Sequence, residues 1–169
     1  MYYCIGGTVG AGHTVTCTIS GAYGSVAFAG YSGVASTTPL DQHTINGVGG
    51  ATSVQAGSVT PGEANEVVIV GLGYQTAAAT ASIDGGFTKR VNDNPQSGVS
   101  FGVALGDLIQ TTATAANPTW SWTGAGDAAA VIATFKQAGG GDTTPPVLTT
   151  PAGTATGPTT ATVGATTDE

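Results

Sequence analysis

The chain has 169 residues and a formal net charge of -7, and its only basic residues are Lys89, Arg90 and Lys136. A surface of this kind repels a phosphate backbone and an anionic bilayer, which argues against nucleic acid and against membrane insertion. Charged residues make up only 8% of the chain, far below the usual quarter, and 28 glycines with abundant Thr, Ala and Ser point to an all-β chain rich in turns.

The length suits one ordinary domain plus an appendage. No apolar run approaches the roughly 18 residues that span a bilayer. The opening "MYYCIGG" has no basic region and no cleavable apolar segment, so the reading here is a fragment, or a protein that leaves its cell inside an assembled particle.

In chain order, "YYCIG" reads as a strand, followed by the turn-rich "GTVGAG". "HTVTCTIS" alternates, with Val15, Cys17 and Ile19 on one face and Thr14, Thr16 and Thr18 on the other, the period-2 signature of a half-buried strand. With the turn centred on Gly10 and Ala11, Cys4 lies opposite Cys17. The pair is then either a cross-strand disulfide or two thiols facing one core. "GSVAFAGYSGV" reads as a third strand, with Val26 and Phe28 on one face and Ala27, Ala29 and Tyr31 on the other. "ASTTPLDQHTINGVGGAT" reads as a long loop leading into the strand "SVQAGSV".

"EVVIVGLGY" is almost continuously apolar, as expected of a strand covered on both faces at the centre of the fold. "TASIDGGFTKRVND" reads as two short strands joined at Asp84-Gly85-Gly86. "VSFGVALGDLIQTTAT" has a helical look, but Gly102, Gly106 and its β-branched residues favour a strand. "PTWSWTG" and "AAAVIATFKQ" read as two further strands.

About nine short strands in residues 1–137 predict a two-sheet β-sandwich with jelly-roll or Greek-key connections. Residues 138–146 form a Gly/Pro linker, flexible at Gly139–Gly141 and stiffened by Pro145-Pro146. In residues 147–169, "VLTTP" and "TTATVGATT" each read as a strand, separated by the turn-prone "AGTATGPT". Two strands bury no core alone, so they are expected to need a continuation or a partner.

The segment "DTTPPVLTTPAGTATGPTTATVGATTDE" resembles the entry and first two strands of a bacterial immunoglobulin-like or fibronectin type III-like domain, over the last 28 residues. The stretches "YYC…VGAGHTVT", "AFAGYSGVASTTPLDQ", "SVTPGEANEVVIVGLG", "FTKRVND" and "AAAVIATFK" resemble a β-sandwich module of bacterial surface and tailed-phage proteins. This resemblance implies a structural or adhesive module on a virion or cell surface, and it carries over no catalytic residue. Such modules have strands ahead of "YYC", so the chain is expected to be cut at both ends.

The residues themselves offer little chemistry. His13 and His43 stand without a G-x-S-x-G elbow, and "GYSGV" around Ser32 has the wrong spacing, so no enzyme is expected. Glu63 and Glu66 flank a turn and read as solvated charge rather than a glycosidase pair. No cofactor is expected. Asp41, Asp84, Asp93, Asp107 and Asp127 are the oxygen donors open to a calcium ion, but no D-x-D-x-D-G loop gathers them, and turn bonding is the expected use. Lys89 and Arg90 fall on opposite faces, and a salt bridge to Asp93 is expected.

Trp120 and Trp122 share a face of one strand. Pointing outward with Tyr74, and with Tyr23 and Tyr31 nearby, they make a glycan-stacking platform; pointing inward they are core, the expected use in so aromatic-poor a chain. The expected function is a non-enzymatic structural or adhesive module of a phage tail fibre, capsid decoration or other extracellular surface fibre. Its expected partners are copies of itself, other virion subunits or a cell-surface glycan. The alternative is a carbohydrate-binding module appended to a secreted bacterial hydrolase.

Overall fold

The most apolar run of the chain becomes its central strand. In the computed structural model, which describes residues 1–5, 16, 18, 25–76, 80–93, 101–139, 152–157 and 160–164, this run is β2 (Glu66–Gln75). It pairs antiparallel with β5 (Phe101–Gln110) on one side and β6 (Thr119–Phe135) on the other. Beyond β6 lies β1 (Leu40–Gln55), and beyond β5 lies β4 (Thr88–Asp93), giving the order β1-β6-β2-β5-β4. The two-residue β3 (Ser82–Ile83) pairs with the first part of β6. Among the described residues there is no helix, and the chain is all-β as its composition implied.

Period-2 geometry sorts β2 onto two faces. Val68, Val70, Leu72 and Tyr74 face the main core, with Ala104, Ala130, Ile132, Trp120 and Trp122. Val67 and Ile69 face the other way, with Ala133 and Phe135, and are covered by Tyr31, Val34 and Leu40. The Tyr3 ring meets Phe135 edge-on at 5.3 Å. Burial on both faces explains why this strand is continuously apolar rather than alternating.

The sheet closes over its core because its two longest strands turn a corner together. The ladder between β1 and β6 shifts register between Val48 and Ser53, opposite Ser121–Ala128. Glycines sit on both sides of this corner, and Gly50 (φ 59°) and Gly124 (φ 81°) adopt the left-handed backbone that other residues resist. Thr76 Oγ1, at the end of β2, donates to the Thr123 and Gly124 carbonyls at 3.4 Å. Asp127 Oδ1 accepts the Gly50 N–H at 3.0 Å. Past the corner the chain doubles back. Asn46 Nδ2 donates to the Gln55 carbonyl, nine residues on, at 3.0 Å, and the tip of the Trp120 indole comes to rest over Gly106 of β5.

The six strands thus hydrogen-bond as one sheet folded over on itself. "PTWSWTG" and "AAAVIATFKQ", expected as two strands, are one 17-residue strand through the corner. "ASTTPLDQHTINGVGGAT" is not a long loop, because from Leu40 onward it is β1. Its glycines mark the bend of a strand rather than its absence. Residues 25–31, part of the expected strand "GSVAFAGYSGV", have no ladder partner among the described residues; Val34 makes an isolated bridge, to Gln137. The alternation is still there, with Ala27, Ala29 and Tyr31 turned toward the sheet and Val26 and Phe28 exposed. "YYCI" is likewise not a strand, and "HTVTCTIS" lies outside the described residues apart from Thr16 and Thr18, both exposed.

The chain divides into units Met1–Ala138 and Gly139–Glu169. In the second, β7 (Ala152–Gly157) and β8 (Thr160–Gly164) form an antiparallel hairpin in which Thr154 faces Thr162. The expected strand "VLTTP" lies outside the described residues, and β7 occupies the stretch that read as a turn. Its Gly and Pro residues drew that reading, yet "GTATG" has the same period-2 pattern as the true strands.

Candidate functional site

Trp120 and Trp122 point inward. Trp120 is 0% exposed, Trp122 6% and Tyr74 2%. The Tyr74 and Trp122 rings meet at 5.7 Å between centroids, tilted by 42°, and the Tyr74 hydroxyl accepts from Asn92 Nδ2 at 3.3 Å. These rings fill the space between the folded halves of the sheet, and none of the three offers a face to a sugar. Tyr23 lies outside the described residues. Cys4 carries an exposed free thiol, and Cys17 and His13 lie outside the described residues. His43 is exposed on β1, not in a loop.

Each of the five aspartates ties one piece of the fold to another. Asp41 accepts the Gly62 N–H at 2.7 Å and lies 3.8 Å from Lys136 Nζ. Asp84 accepts the Thr119 N–H at 2.6 Å, fixing the β3–β4 turn against β6. Asp93 accepts from Ser25 Oγ at 2.5 Å. Among the described residues no three His, Cys, Asp or Glu side chains gather as a metal-binding group. Glu66, expected to be solvated, is fully buried at the start of β2, where its Oε1 accepts the Glu63 N–H at 3.2 Å.

Arg90 does not pair with Asp93. Its Nε donates to both carboxylate oxygens of Asp107, at 2.9 and 3.0 Å. Thr88 stands opposite Asp107 in the ladder, and a bulge between Lys89 and Val91 follows. Arg90, two residues past Thr88, therefore reaches the same carboxylate, whereas Asp93 is an odd three positions away. Lys89 Nζ instead donates to the Ala81 carbonyl at 2.6 Å.

Asp107, 6% exposed, also accepts the Tyr31 O–H at 2.7 Å, which anchors residues 25–34 to the outer face. Burial first, and then this hydrogen bond, push the Tyr31 phenol well above its ordinary value near 10. The neutral form is the one the fold favours. Its contribution is therefore fully present below pH about 10 and is lost as pH rises beyond that. Tyr31→Phe is expected to cost about 1.5–3 kcal/mol at neutral pH, as for a hydrogen bond to a charged group. It should also flatten the fall in melting temperature above pH about 10, a comparison that thermal scans of the two proteins make directly.

Two features remain open to contact. The first is β1, the last strand in the sheet order, paired on one side only among the described residues. Its only acidic or basic side chains are Asp41 and His43, and Ile45 is 71% exposed. The second is a shallow depression of about 740 Å³ where β1, β2, β5 and β6 approach the corner. Gly47, Gly73 and Ala129 floor it, and Phe101, Gln75 and Asp127 stand around it. Sequence reasoning missed both, having placed β1 in a loop and paid no attention to Phe101. Comparison with protein-family models, with curated proteins and with solved structures gives no match for this chain.

Proposed function

We propose that this chain is a non-enzymatic structural or adhesive module of an extracellular assembly, such as a phage tail fibre, a capsid decoration or another surface fibre. It acts through contacts with copies of itself, with other subunits or with a receptor. The observation that carries this reading is β1, a 16-residue strand at the edge of the sheet formed by the described residues, with an exposed isoleucine and Asp41 as its one carboxylate. Sheet edges with few charges are the natural place for one protein to add to another. The described aspartates are meanwhile engaged in fixing turns and strands. Electron microscopy of the chain in the particle that carries it tests the reading: an ordered lattice or fibre supports it, and a chain found only free in solution overturns it.

A second reading, a carbohydrate-binding module of a secreted hydrolase, draws on the depression beside Phe101, which is 53% exposed over a glycine floor. On a glycan array that reading requires binding lost in Phe101→Ala, and no longer requires binding that depends on Trp120 or Trp122.

A further inference from the structure

We propose that two copies of this chain pair antiparallel through β1, about a two-fold axis passing beside Ile45, so that His43 faces Gly47 across the new ladder. The proposal rests on the module reading above and names its partner.

Four observations point to a second copy. The ladder of β1 on β6 is regular from His43 to Val48 and shifts register on either side. A straight window thus remains, centred near Ile45 and without a second ladder partner among the described residues, in which the Gly47 N–H donates to Asn46 Oδ1 at 2.9 Å. Within it there is no Lys, no Pro and no charged side chain, which are the usual guards of an edge. The charges flanking it are Asp41, which has Lys136 3.8 Å away, and Asp127, whose Oδ1 accepts the Gly50 N–H at 3.0 Å. Within the window itself, copies meeting here set no acidic side chain against another, although each carries a net charge of -7.

The third observation is Ile45 itself, 71% exposed on the outer face opposite Val131. An antiparallel two-fold at this position sets the two isoleucines side by side, a favourable cross-strand pair. The fourth is symmetry. An edge strand offers alternating N–H and C=O groups, and a copy rotated by a two-fold offers the same groups in complementary order. The opposite edge, β4, is unlike it, with Lys89, Arg90, Asp93 and a bulge.

Sedimentation equilibrium of the full chain from about 10 μM to 1 mM tests the pairing, a range suited to a small edge contact. The native chain is expected to approach twice its monomer mass. Ile45→Lys sets like charges face to face and is expected to weaken association by about tenfold or more. Ile109→Lys, at a 58% exposed site on the interior strand β5, is expected to associate as the native chain does. Amide exchange covers the case in which Ile45→Lys fails to fold: amides within residues 43–47 of the native chain should exchange more slowly at high concentration.

A native chain that is monomeric throughout, an Ile45→Lys variant that associates like native, or concentration-dependent protection confined to another segment each overturns the proposal. A monomeric chain that still enters fibres or binds a receptor leaves the module reading standing without β1 pairing.

Discussion

Trp120→Ala is expected to cost the first unit about 3–5 kcal/mol, the range for truncating a buried aromatic. Such a domain has only about 5–15 kcal/mol of stability in total. The indole is 0% exposed and bridges the two halves of the folded sheet, since it stands on the early part of β6 and its tip covers Gly106 of β5. No neighbour can collapse into the space, because Gly106 has no side chain and the sheet backbone fixes the gap. A fall in melting temperature of roughly 10–20 °C follows from the usual conversion for a unit of this size. Trp120→Phe, which keeps a ring in the gap, should lose clearly less. Equal and small losses for both variants would mean that the indole does not span the core. The position also bears on function, because glycan binding that failed only through Trp120→Ala would report unfolding rather than a lost contact.

The parts of the fold visible in the sequence are those whose signals are local. β2 is readable because both of its faces are buried, so every position from Val67 to Val70 is apolar. The β3–β4 turn is readable because Gly85 (φ 68°) and Gly86 (φ 80°) supply the backbone it demands, but the strands it joins are not the expected hairpin, since β3 pairs with β6 and β4 with β5. β5 is readable because Gly102 and Gly106 disfavour a helix, and Gly106 proves to be the space that Trp120 needs.

What was hidden depends on neighbours. Residues 25–31 alternate as a strand should, but a strand also needs a hydrogen-bonding partner, and period 2 by itself does not provide one. β1 carries the opposite signal. The "NGVGGAT" stretch has the composition of a loop, yet it is held in the sheet by β6 along its length. Arg90 found Asp107 across the sheet rather than Asp93 along the chain, because a bulge, invisible in sequence, set the register. The candidate site shared this fate. The aromatic pair that stood out in the sequence belongs to the core, and the exposed edge lies in the stretch that looked like a loop.

Gly126→Ala is expected to destabilise the first unit by about 3 kcal/mol or more, at the upper end for overpacking a rigid site. A Cβ on Gly126 would run into the carbonyl oxygen and carbon of Gln75, main-chain atoms at the end of β2 that no rotamer change can move. Relief requires shifting either β2 or the corner of β6. The corner is held in place by Thr76 on the Thr123 and Gly124 carbonyls and by Asp127 on Gly50. Gly73→Ala is the matched control. Gly73 lies two residues before Gln75 on β2, its added Cβ meets nothing within 4 Å, and its φ is not in the left-handed region. The same substitution there should be neutral or should stabilise by about 0.4–1 kcal/mol through the entropy of the unfolded chain. Urea denaturation midpoints of the two variants measure the difference. Two alanines of equal effect would show that β6 does not pass against the end of β2 at Gly126. The folding-over of the sheet, which exposes the edge of β1 and buries both tryptophans, would then lose its hinge.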